Sequence, residues 1–111
     1  MRCLKLIVAI VQDHDINRLL PALMKKGFRA TKLASTGGFL REGNTTLLIG
    51  VEVGKVEEAL GVIGETCATR EQMVTSFASI GAGEEQIPFP VEVPLGGATA
   101  FVLDVERYVK F

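Results

Sequence analysis

The sequence predicts an α+β domain in which two helices cover one face of an antiparallel sheet. Three observations point there: strand-like apolar runs at the start, middle and end of the chain, two segments whose apolar residues recur at helical spacing, and a strand–loop–strand pattern between those segments. With 111 residues the chain is a single domain, 1–111, large enough for a core and small enough that oligomerisation would add useful burial.

Residues 4–11 form a nearly unbroken Ile- and Val-rich run, the mark of a strand covered on both faces. After "QDHD", Ile16, Leu19, Leu20, Leu23 and Met24 share one helical face. Asp13 or Asp15 can cap the start, and Gly27 can close the end in a left-handed conformation. Pro21 loses a helical hydrogen bond and clashes one turn back, which predicts a kink or a late helix start. "FRATKLAS" alternates, with Phe28, Ala30, Lys32 and Ala34 on one face and Arg29, Thr31, Leu33 and Ser35 on the other. "TGGFLREGN" reads as a loop, and "TTLLIGVEV" as a third strand paired with the second in a hairpin.

Val56, Ala59, Leu60 and Ile63 predict a second helix, with Glu57 and Glu58 near its positive end. Between 66 and 97 the pattern weakens, and either a long excursion or an extra hairpin fits. "EEQIPFPVEVP" alternates, but Pro88, Pro90 and Pro94 restrict it to an edge. "ATAFVLDVERYV" supplies the last strand. The order β-α-β-β-α-(loop)-β is the split βαβ arrangement of a ferredoxin-like fold. Strands one, three and last carry apolar residues at both parities, such as Leu6 and Ile7, Leu48 and Ile49, Val102 and Leu103. An open apolar face of that size is unusual on a monomer, so the pattern predicts a symmetric oligomer; a trimer would bury three sheets about one axis.

A net charge of -1 from 12 basic and 13 acidic residues provides no field for gathering nucleic acid or anionic lipid. Cys3 and Cys67 make neither a disulfide framework nor a zinc motif and read as buried thiols of a reducing cytoplasm. The opening "MRCLKLIVAIVQDHD" has an apolar run too short for a membrane span and no small-residue cleavage site. The expectation is a soluble cytoplasmic protein. His14, the sole histidine, stands beside Asp13 and Asp15 and reads as a surface or capping residue. No nucleophile, acid–base pair or metal cluster can be assembled, so no enzyme is predicted.

"FRATKLASTGGFLREGNTTLLIG" suits a binding module better. A Gly-Gly turn brings backbone amides close to an anion, Arg29 or Arg41 offers a bidentate phosphate contact, Asn44 matches an adenine edge, and Phe39 or Phe101 can stack on a base. Together they point to a nucleotide pocket beside a subunit interface.

The segments "IVAIVQDHD", "FRATKLASTGGFLREGNTTLLIGVE", "GETCATREQ" and "PFPVEVPLGGATAFVLDVERYVKF" span nearly the whole chain. They resemble the PII-like cyclic di-AMP receptor proteins, homotrimeric ferredoxin-like relatives of the nitrogen-regulatory PII proteins. The resemblance implies a short loop after the second strand, a long loop after the second helix, and cyclic di-AMP held in clefts between subunits, with no cofactor, metal or catalytic activity. It places ligand contacts at Arg29, Ala30 and Thr31, at Gly38, Phe39 and Leu40, at Asn44 and Gly50, and at Phe101. The implied roles are phosphate or base-edge contacts for Arg29 and Thr31, phosphate contacts for the loop amides, adenine recognition for Asn44, and apolar walls for Phe39, Leu40 and Phe101.

Two positions depart from the family: Gly27 stands where an asparagine is frequent, and Lys110 where a glutamine is. The implied function is signal transduction, with the ligand ordering loops that present an altered surface to a downstream protein. Two other readings share the plan. A PII-like sensor of ATP would need more basic contacts than Arg29 and Arg41 supply. A CutA-type structural or metal-tolerance trimer is disfavoured by the lack of histidine clusters.

Overall fold

The apolar run near the start of the chain becomes β1 (Leu4–Gln12), a central strand. It is followed by α1 (Asp13–Lys25), β2 (Ala30–Leu33), β3 (Asn44–Glu52), a single 3-10 turn (Val53–Lys55), α2 (Val56–Cys67), β4 (Arg70–Ile80), β5 (Glu85–Leu95) and β6 (Ala98–Asp104). The structure, a computed structural model, describes residues 3–33, 43–80 and 85–111.

Four strands form one antiparallel sheet in the order β2-β3-β1-β6. β1 and β2 run the same way with β3 between them, which is the split βαβ unit of a ferredoxin-like fold. Alternation divides the sheet. Ile7, Ala9 and Val11 of β1 and Leu47, Ile49 and Val51 of β3 pack against Ile16, Leu19 and Leu23 of α1 and Ala59, Val62 and Ile63 of α2. At the intervening positions, Leu4, Leu6, Val8, Ile10 and Leu48 are only half-buried, because both helices lie on the other side. β6 is exposed along its whole length, with Phe101, Val102 and Leu103 each more than two-fifths accessible. The unpartnered apolar face therefore exists as the sequence implies, and it continues onto an uncovered edge strand.

The weak segment resolves into a hairpin. β4 and β5 pair only with each other among the described residues, in the register Arg70↔Leu95 to Ile80↔Glu85, as a ribbon separate from the main sheet. Pro88, Pro90 and Pro94 share one parity along β5. All three missing N–H groups consequently fall on the edge that faces away from β4.

Several expectations need correction. Neither Asp13 nor Asp15 caps α1: the cap residue is Gln12, it makes no side-chain cap bond, and both aspartates sit within the first turn, bonded elsewhere. The helix does not start late, since Pro21 lies inside its 13 residues. The second strand begins at Ala30, after Phe28 has turned into the core. The last strand ends at Asp104, where β1 runs out of partners: Lys5↔Asp104 is the final pair, and Val105 N–H donates to the Leu4 carbonyl at 3.3 Å.

The end of α1 follows the sequence closely. Gly27 adopts φ 86°, its N–H donates to the Met24 carbonyl at 2.9 Å, and Phe28 N–H donates to the Leu23 carbonyl at 2.9 Å. These are the two bonds of a Schellman motif, and Phe28 and Leu23 join the same core cluster. A Cβ at Gly27 would meet nothing within 4 Å, so only the backbone demands glycine here. Asparagine tolerates this conformation best among the other residues, which makes the resembling family's asparagine structurally compatible. Gly27→Ala should therefore cost about 1 kcal/mol in urea unfolding and Gly27→Asn clearly less; equal losses would show that the left-handed cap is not what holds this turn.

Candidate functional site

The sheet register sorts the sequence-derived binding residues. Thr31 pairs with Leu48, Leu48 with Val8, and Val8 with Phe101, so these four form one rung across the open face. Gly50 and Asn44 share that face through their pairs with Leu6 and Gln12. Continuing the β2–β3 register by one residue sets Arg29, which is exposed, beside Gly50. Ala30 has the opposite parity: it pairs with Ile49 and packs against the core, so it can offer a ligand its backbone only. Gly38, Phe39 and Leu40, with Arg41, lie outside the described residues.

Within one chain these residues do not converge on a single point. Thr31 and Phe101 are three strand spacings apart, ~14 Å, and Asn44 and Gly50 are six residues apart along β3, ~20 Å. Arg29, Thr31 and Gly50 form a basic and polar patch near one sheet edge, while Phe101 stands 46% exposed on the other edge strand. Gly50 has no positive φ, and a Cβ there would meet nothing within 4 Å. Neither the backbone nor internal packing requires a glycine at that position. Its effect is to keep the face low beside Arg29.

A second constellation gathers where β1 passes into α1. Asp13 N–H donates to the Gly43 carbonyl at 2.8 Å, and Thr45 Oγ1 donates to the Asp13 carboxylate, holding the start of β3 against the helix. Gly96 N–H donates to Gln12 Oε1 at 2.8 Å, and Gly97 N–H donates to the Cys67 carbonyl. Asp15 is fully buried. Its Oδ1 accepts from Arg18 Nη2 and Arg70 Nη2, both at 2.7 Å, and His14 Nε2 stands 3.5 Å away. Arg18 also donates to the Thr66 carbonyl at 3.1 Å, so this carboxylate fastens α1 to the end of α2 and the start of β4.

Burial alone would raise the Asp15 pKa, but hydrogen bonds from Arg70 and Arg18, with the charges of His14 and Arg70, outweigh it and hold the carboxyl below its ordinary value of 3.8. The same hydrogen bond pushes Arg70 further above its usual value. Of the two cysteines expected to be buried, Cys3 is exposed and only Cys67 is enclosed; burial, reinforced by the Asp15 charge, raises the Cys67 thiol pKa against the opposing arginines. That leaves a neutral thiol at pH 7, unsuited to nucleophilic work.

Among the described residues no group of three His, Cys, Asp or Glu side chains could hold a metal ion, and no helix is long and apolar enough to cross a membrane. A shallow pocket of about 310 Å³ between α2 and β6 is lined mainly by Leu60, Ile63, Gly64, Cys67, Gly97 and Ala100 and offers little polar chemistry. Sequence reasoning missed Gln12, Thr45 and Arg70. The Asp15–Arg18 spacing of three was visible as a helical ion pair, but no local signal announces an Arg70 contact 55 residues away.

A family model described as "Cyclic-di-AMP receptor" matches residues 4–111. Among solved structures, the chain is similar to a protein from Pediococcus pentosaceus described as functionally unknown, at 40% identity over 100% of both chains with a TM-score of 0.80.

The Asp15 cluster has a measurable pH signature. Because the folded carboxyl titrates below 3.8, its stabilisation is fully present above that pH and disappears as the pH falls through the lowered value. Asp15→Asn should cost about 1.5–3 kcal/mol at pH 7 through the loss of charge-assisted hydrogen bonds, since Arg18 and Arg70 are partly exposed and keep water as a partner. Its stability should also vary less with pH below 4 than that of the parent; unfolding curves of parallel acid dependence would contradict this account.

Proposed function

The chain belongs to the cyclic-di-AMP receptor family, and on that footing we propose that it binds cyclic di-AMP in clefts between the subunits of a PII-like homotrimer and signals by ordering its loops. The observation that carries the reading is the open sheet face, where Arg29, Thr31, Asn44, Gly50 and Phe101 all stand on the side the helices leave bare. Arg29 supplies a cationic fork for phosphate, Thr31 a hydroxyl, Asn44 a paired donor and acceptor for an adenine edge, and Phe101 a stacking surface.

The spread of these groups favours a ligand wider than one base. It also favours a cleft shared by two copies, in which the β6 edge of one chain meets the β2–β3 patch of the next. Such packing would cover Phe101 and Leu103, apolar surface that a lone chain leaves in water. The loop residues Gly38, Phe39 and Leu40 would close over the ligand and order with it. The same loop ordering, offered to a downstream cytoplasmic protein, is the output. A triphosphate such as ATP is the second reading, and it asks for cationic contacts beyond Arg29 and Arg41.

Calorimetric titration with cyclic di-AMP, with ATP and cyclic di-GMP as controls, should give selective binding near one ligand per subunit of a particle that sizes as a trimer. Silence with cyclic di-AMP, or a stable monomer at micromolar concentration, would overturn the reading. Arg29→Ala should weaken binding by about 10- to 100-fold through loss of a charge-assisted contact worth ~1.5–3 kcal/mol, with the oligomer intact. Gly50→Val, which adds a branched side chain where the single chain has room, should abolish binding without lowering the unfolding temperature.

A further inference from the structure

The β4–β5 ribbon leaves the body of the protein through two legs, and both are fastened to the short stretch 12–15. On the entering leg, Arg70 bonds to Asp15 at 2.7 Å and to the Ala68 carbonyl at 3.3 Å. On the leaving leg, Gly96 N–H donates to Gln12 Oε1 at 2.8 Å. That leg has little slack: Gly96 and Gly97 hold φ 81° and 96°, and a Cβ at Gly96 would lie 2.5 Å from Arg70 Nη1 and 2.8 Å from the Ala68 carbonyl oxygen. The two legs are thus in contact with each other as well as with the stretch that anchors them.

The same stretch also meets Asn44, the member of the proposed nucleotide site that lies at the far end of β3 from Gly50. Gln12 is the register partner of Asn44. The adjacent pair, Asp13 with Gly43, carries a ladder hydrogen bond of 2.8 Å, so Gln12 and Asn44 form a non-hydrogen-bonded pair, in which backbones approach to ~4.5 Å and side chains are closest. Both side chains stand on the open face. Thr45, next to Asn44, is bonded to Asp13.

We infer that Gln12 is the positioning residue through which occupancy of the nucleotide site sets the order of the ribbon, its amide oxygen holding the Gly96 leg while its backbone is paired to Asn44. This rests on the receptor reading above and names its regulatory route. A ligand that engages Asn44 restrains the Gln12 side chain, and a restrained Gln12 Oε1 holds the Gly96 N–H. The ribbon, whose strands pair with nothing else among the described residues, is the element that such a small change at its base can bias.

The test is amide hydrogen exchange on the full chain, with and without cyclic di-AMP, for the parent, Gln12→Met, which keeps the length but cannot accept the Gly96 bond, and Gln12→Glu, which can. In the parent, ligand should slow exchange across 70–80 and 85–97 by about tenfold. Gln12→Met should bind within about threefold of the parent, as fits a residue one step from the ligand, yet lose that ribbon response, and Gln12→Glu should restore it. A ribbon that responds equally in Gln12→Met, or one that ignores bound ligand in the parent, overturns the inference. If the parent binds no cyclic di-AMP, the receptor reading fails instead. The link is then judged without ligand: Gln12→Met should speed exchange at the Gly96 amide, whose N–H Gln12 holds, and across 70–80, and unchanged exchange at either place refutes it.

Discussion

The structure depends on an imbalance of coverage: a four-stranded sheet with two apolar faces has helices enough for one. α1 and α2 seal Ile7, Ala9, Val11, Leu47 and Ile49 to near-zero exposure, and the core is complete without any help from the opposite side. Burial of that one face supplies the hydrophobic driving force for the single chain. The other face, with Leu6, Val8, Ile10 and Leu48 half-covered and Phe101 and Leu103 exposed, is apolar surface that the single chain leaves uncovered. The polar groups assigned to ligand sit among these residues, so in the proposed receptor assembly and recognition draw on the same surface.

A buried carboxylate is the second element of the design. Asp15 brings a charge to a site without solvent, and two arginines from α1 and β4 compensate for it. The value of such a pair lies less in net stability than in geometry, since it is satisfied in one arrangement of the three elements and costly in others. With Gln12 and Asp13 beside it, a four-residue stretch meets the start of β3 and both legs of the ribbon, and through Arg18 it reaches the end of α2. The surrounding backbone is correspondingly constrained, as Gly96 and Gly97 show by accepting conformations and approaches closed to other residues.

Much of this was legible in the sequence because it is local. Continuous apolar runs gave β1 and β3, the spacing of Ile16, Leu19 and Leu23 gave α1, and the lone Gly27 gave its left-handed end. Alternation separated Arg29, Thr31 and Leu33 from Phe28 and Ala30, and the register then shows that the first set lies on the open face. The failures were of two kinds. Aspartates at a helix start match a capping signal, but longer-range partners, Thr45 for Asp13 and the arginines for Asp15, took their oxygens. Prolines and glycines blurred the ribbon, since a strand with a single neighbour lacks the two-faced apolar pattern by which strands are recognised. The distance from Phe101 to Thr31 was also hidden, because strand order across a sheet is not written in any one strand.

The three prolines of β5 have a consequence for solubility. A ribbon that projects from its domain offers two open backbone edges, each a template on which another copy could add a strand and begin a polymer. On the β5 side, three of the outward positions have no N–H to give, so an approaching strand finds acceptors without matching donors. The ribbon keeps the extended shape needed for a long arm while that edge is made a poor seed for strand-by-strand growth.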